Sequence, residues 1–163
     1  MTGALAIIND GGKDYVPSYE VHDTPTIKVA RKNTMDLAAV SRLLQPFVMN
    51  LVPISTALEE VHSMPKQGVT SSFSFGMNFG QWQGLLSGYD MEWETVTPQV
   101  WKRTFGLIGK DKDASRLIAS RLFPTLDLTK KKDIGKADAL LIAEHLRRQP
   151  VWRNDDLPGV SPS

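Results

Sequence analysis

The sequence predicts an α/β layer fold built on a mixed sheet, and two observations carry that expectation. The chain opens on short apolar runs separated by turn residues, a pattern that reads as a meander of strands. After residue 36, strand-like runs alternate with segments whose apolar residues recur at helical spacing. A purely parallel sheet would alternate from the start, so the early meander argues for antiparallel and parallel pairing in one layer.

Taken in order, "ALAIIND" predicts a first strand, "GGKDY" a turn, and residues 16–21 a second strand. A third, over 26–30, would complete the meander. From Asp36 the residues Leu37, Val40, Leu43 and Leu44 share one helical face, with Thr34 as candidate N-cap and Pro46 as the expected end. The run 51–59 predicts a strand entered irregularly at Pro53, and "MPKQGV" a loop. A helix is expected over 71–88, a strand in "MEWETV", a helix opened by Pro98 and running to 105, another over 111–123, and a last one over 135–148. Residues 1–149 then form a single domain, and 150–163, "PVWRNDDLPGVSPS", a tail expected to hold no structure of its own.

At 163 residues the chain can bury a core without staples. Cysteine is absent, which excludes disulfides, thiolate zinc sites and a cysteine nucleophile, and suits a reducing cytoplasm. No apolar run approaches the ~20 residues needed to span a bilayer, and the opening residues lack the charged and apolar regions of a signal peptide. The expected setting is therefore cytoplasmic, with no membrane partner. A net charge of +1 argues against indiscriminate coating of nucleic acid, but from Lys102 to Lys132 nine basic residues face three acids. Such a segment either holds a polyanion or forms an ordinary solvated face.

Acids in apolar company are the chemical signal. The run 51–58 stops on Glu59 and Glu60, whose side chains point to opposite faces of a strand, so one of them at most looks into a shared site. In "KADALLIAEH", Asp138 shares a helical face with Leu141, Ile142 and His145. A buried carboxylate is costly unless it is paired or binds a metal. The alternative puts Asp138 at the rim, where the helix dipole favours a negative charge. Two acids from different elements would make an oxygen cage for Mg²⁺ or Mn²⁺ beside a phosphodiester. Ser72, Gly76, Gly80, Gly84 and Gly88 form a ladder that invites close packing, by the chain's own core or by a second subunit. Lys112 and Arg116 lie one helical turn apart with Lys102 near in sequence, and Phe73 and Phe75 are candidates to stack on bases.

Four stretches in order, "TGALAIIND", "LEEVHSMPKQGVTSSFSFG", "VTPQVWKRTFGL" with "KDKDASRLIASRLFP", and "KKDIGKADALLIAEH", resemble the RuvC-like Holliday-junction resolvases, especially their phage and prophage branch. The resemblance implies a ribonuclease H-like fold, a mixed sheet flanked by helices, whose acids hold two divalent metals, Mg²⁺ or Mn²⁺. It implies metal ligation by Glu59 and Asp138, with Asp133 as a third acid, and a catalytic or DNA-facing part for Lys102 or Lys112, the second being the one named catalytic. Lys66, Gln67, Phe73, Lys102, Lys112 and Arg116 would contact DNA. It further implies a homodimeric endonuclease acting on four-way junctions or other branched DNA in recombination, repair or phage DNA processing.

The chain departs from that pattern at its start. The family's first strand carries a "DPG" turn immediately before "TGA", and its aspartate is the first metal ligand, whereas this chain opens at "MTGA". The resemblance thus implies a chain truncated before the first catalytic aspartate, lacking the first central strand. Cleavage by this polypeptide is expected to be weak or absent, and the alternative function is a catalytically impaired module of the same fold that binds junctions.

Overall fold

Strand β1, Ala4–Asn9, is apolar at almost every position because it is covered on both faces. In the computed structural model, which describes residues 3–9, 17–49, 54–60 and 68–149, Ala6 and Ile8 pack into one apolar cluster and Leu5 into another. This is the alternation of a strand between two layers. β1 pairs antiparallel with β2, Ser18–Asp23, so the first predicted hairpin stands.

The third predicted strand does not extend that pair. β3, Thr26–Val29, pairs with an unforeseen strand β4, Lys32–Met35. The turn between them, Ala30 and Arg31, has φ values of 47° and 67°. Positive φ at both central residues is what a two-residue type I′ hairpin turn requires, and here neither residue is glycine or asparagine. Without that turn signal the sequence concealed the hairpin.

Helix α1, Leu37–Met49, is capped by Asp36, not Thr34. The Ala39 amide donates to Asp36 Oδ1 at 3.0 Å, while Thr34 belongs to β4. Pro46 does not end the helix, which continues to Met49 with Phe47 and Val48 half-buried. Proline removes one amide donor from the ladder, and burial of the following turn offsets that loss.

Of the strand predicted over 51–59, only β5, Ala57–Glu59, is seen; residues 51–53 lie outside the described segments. It pairs in parallel with β6, Glu94–Val96, in the register Glu59 to Val96. Between them runs helix α2, Val69–Gly88, twenty residues without one ionisable side chain. A Cβ built on Gly76, Gly80, Gly84 or Gly88 meets no atom within 4 Å among the described residues. Close packing by the described residues therefore does not explain the ladder.

Helices α3, Pro98–Thr104, and α4, Asp113–Leu122, fall close to their predicted places. A 3₁₀ turn, Lys131–Asp133, leads into α5, Ile134–Arg147. The described residues thus form a mixed α/β arrangement with three two-stranded sheets, two antiparallel and one parallel. Helix α5 packs on β1, β2 and β5, bringing the antiparallel and parallel pairs under one helix. The main core lies there, with Trp101, Leu128, Leu140 and Leu141 fully enclosed. A smaller core of Met35, Val40, Leu44 and Leu86 joins α1 to α2. Among the described residues no helix is long and apolar enough to cross a membrane.

Candidate active site

Glu59 is the last residue of β5, and the parallel pairing with β6 sets its height above the core. Asp138 is the fifth residue of α5, on the face that carries the buried Leu141, Ile142 and His145. Packing of α5 on β5 brings the two acids into one neighbourhood. Burial pushes the Glu59 carboxyl above its ordinary value, and the charge of Asp138 adds to the rise. A hydrogen bond from Trp101 and the charge of Lys102 oppose it. Asp138 is raised by burial as well, against the Ser115 hydroxyl and again the charge of Lys102. Its Oδ1 is enclosed and has no hydrogen-bond partner. An orphaned carboxylate oxygen beside a second acid is an arrangement that a hard divalent cation relieves, since it favours the charged form of both.

Trp101 is fully buried, and its indole Nε1–H donates to Glu59 Oε1 at 2.9 Å. The Lys102 ammonium stands 5.3 Å from the centre of the same indole ring. Lys102 is therefore the lysine at the acids. Lys112, the other lysine expected there, is exposed at the start of α4, and the causes of the shifts at Glu59 and Asp138 do not include it.

Asp133 is not brought to this pair. It is buried at 4% exposure and works locally: Oδ2 accepts the Lys130 amide at 3.0 Å, and Oδ1 lies 3.7 Å from the Lys136 ammonium. Among the described residues no three acidic or histidine side chains cluster as a metal site would need. The two acids fit part of a cation's coordination shell, and the described residues place no third acid or histidine with them.

Of the residues expected to touch DNA, Phe73 projects from α2 at 72% exposure. Arg116 ties α4 to the following loop, donating to the Leu128 and Thr129 carbonyls at 3.3 and 2.6 Å and to Asp113 Oδ1 at 3.2 Å. Lys66 and Gln67 lie outside the described residues. Arg103, Lys110, Lys112 and Lys130 to Lys132 are all exposed, so the basic segment lies at the surface.

Nothing in the sequence marks Trp101 as a site residue. Its spacing in "VTPQVWK" is that of any core tryptophan, and only the fold shows an acid at its ring nitrogen.

No family model matches the chain. It is similar to a protein of Chlamydomonas reinhardtii named Holliday junction resolvase MOC1, chloroplastic, with 31% identity over 132 residues. The match takes in 74% of this chain and spans 15% of the relative's length.

Proposed function

We propose that this chain belongs to the Holliday junction resolvases, nearest to the RuvC-like phage and prophage branch, and is a metal-dependent endonuclease with a ribonuclease H-like fold that nicks branched DNA. The observation that carries the reading is the pair Glu59 and Asp138: two carboxylates from a strand end and a core helix, both raised by burial, one with an orphaned oxygen. The likeness to a protein named a resolvase gives that pair a substrate class.

Glu59 and Asp138 would hold Mg²⁺ or Mn²⁺, which when bound supplies activation of water and neutralisation of charge at a phosphodiester. The remaining work belongs to the chain's own side chains. Lys102 sets a positive charge beside both acids, where a scissile phosphate would bring further negative charge. The exposed lysines and Arg103 offer neutralisation along the DNA backbone. Phe73 is available to stack on a base opened at the branch point. Two copies related by a two-fold axis suit the near two-fold arms of a four-way junction. The uncharged, unoccupied glycine face of α2 supports such a pairing.

The second reading, a module that binds junctions without cutting them, is favoured by the gathering of two acids and not three among the described residues. One experiment separates them. Synthetic four-way junctions are incubated with the chain in Mg²⁺ or Mn²⁺ and compared with Glu59→Gln and Asp138→Asn. The nuclease loses more than about 100-fold in cleavage, beyond the upper end for loss of an outer-shell partner, while junction affinity persists. A chain that binds junctions tightly, cuts none and is indifferent to both changes would support the second reading.

A further inference from the structure

We propose that Trp101 is a positioning residue that orients Glu59 for the cation; this rests on the nuclease reading above. The indole is enclosed in the main core among Leu107, Leu140 and Leu141, so its ring has no room to turn. A donor held that rigidly fixes whatever accepts from it. Its Nε1–H meets Glu59 Oε1 at 2.9 Å and so takes up one of the two carboxylate oxygens. A glutamate side chain has several rotatable bonds, and a free one would lose that freedom each time a cation bound. With Oε1 anchored, the loss occurs on folding.

The pairing is not merely a way to satisfy a buried indole. A backbone carbonyl would satisfy Nε1–H without drawing a carboxylate into a half-buried site that raises its pKa. The next residue, Lys102, holds its ammonium over the same ring and acts on both acids. One turn of α3 thus supplies the donor that aims Glu59 and the charge that tempers it. Partners behind metal-ligating carboxylates typically change metal affinity by about 10–100-fold when removed.

The test uses the full chain with Mn²⁺ as probe. Trp101→Phe keeps an aromatic ring and removes the donor, together with part of the indole's bulk. Calorimetric titration should show Mn²⁺ affinity falling by about 10-fold or more, with junction binding in the absence of metal unchanged. In a nitrogen-15 spectrum of the wild type, the indole signal absent from Trp101→Phe should move in Glu59→Gln and on addition of Mg²⁺. That second measurement decides the matter if Trp101→Phe folds poorly. Unaltered Mn²⁺ affinity in a folded Trp101→Phe, or an indole signal indifferent to Glu59→Gln, overturns this inference and leaves the nuclease reading intact if Glu59→Gln still abolishes cleavage. A wild-type chain that takes up no Mn²⁺ and cuts no junction overturns both.

Discussion

Glu59 and Asp138 are costly residues, and the cost is measurable. Each is half-buried, and burial raises its pKa, so its ionised form destabilises the metal-free fold at neutral pH. Glu59→Gln and Asp138→Asn should each raise stability in EDTA, read as a melting temperature above that of the wild type. Mg²⁺ should stabilise the wild type and neither variant. Glu144 has the opposite character. Burial alone would raise its pKa, but hydrogen bonds from Arg147 and Arg148 at 2.7 to 2.9 Å outweigh that and hold it below its ordinary value of 4.5. A depressed carboxylate stabilises the fold above its unfolded pKa and loses that contribution as pH falls through the folded one. Both arginines are more than a third exposed, so solvent screening keeps the gain to about 1 kcal/mol or less. Glu144→Gln should therefore be less stable than wild type at pH 7 in thermal melts, and the gap should close as pH drops below 4.5.

At the scale of elements, β1 poses a contrast between its faces and its edge. Both faces are covered, yet one edge has no strand partner among the described residues. The Thr24 amide donates to the Gly3 carbonyl at 2.8 Å, which puts Gly3, Leu5 and Ile7 in the hydrogen-bonded positions toward β2. Ala4, Ala6 and Ile8 then direct their backbone groups to the open edge. The bonds Glu60 to Val96 and Glu94 to Thr56 likewise leave Ala57 and Glu59 facing away from β6. Hydrogen exchange followed by NMR should find the amides of Ala4, Ala6 and Ile8 faster than those of Leu5 and Ile7. Equal protection along β1 would mean that another segment covers the edge. Most elements were legible because periodicity and punctuation agree: Pro98 opens α3, and α5 shows its buried stripe in sequence. The β3–β4 hairpin and the passage of α1 through Pro46 were not. In both places the local signal was overridden, by positive φ at Ala30 and Arg31 and by burial beyond Pro46.

For the whole molecule the open question is what covers α2. Val69 at 86% exposure and Phe73 at 72% stand on a helix without charge, beside glycines where an added Cβ would meet no atom of the described residues. A second copy crossing at Gly80 would let two backbones approach closely. A Cβ at Gly80 meets no described atom, so if two copies pair through α2, Gly80→Arg should fold and sediment as a monomer while the wild type sediments as a dimer. An unchanged dimer in that variant would place the contact elsewhere.

The sequence by itself determined the helices, the first hairpin and the two acids worth attention, because apolar period and a charge out of place are properties of neighbours along the chain. Tertiary structure alone decided which acid meets which. It set Glu59 beside Asp138 but left Asp133 capping its own turn, and it brought the charge of Lys102 to both acids. It also turned a core tryptophan's N–H onto a carboxylate. The physical reason is that charge and hydrogen bonding act through distances of a few ångströms, and residues separated by 42 positions acquire such distances only when β5, α3 and α5 pack together.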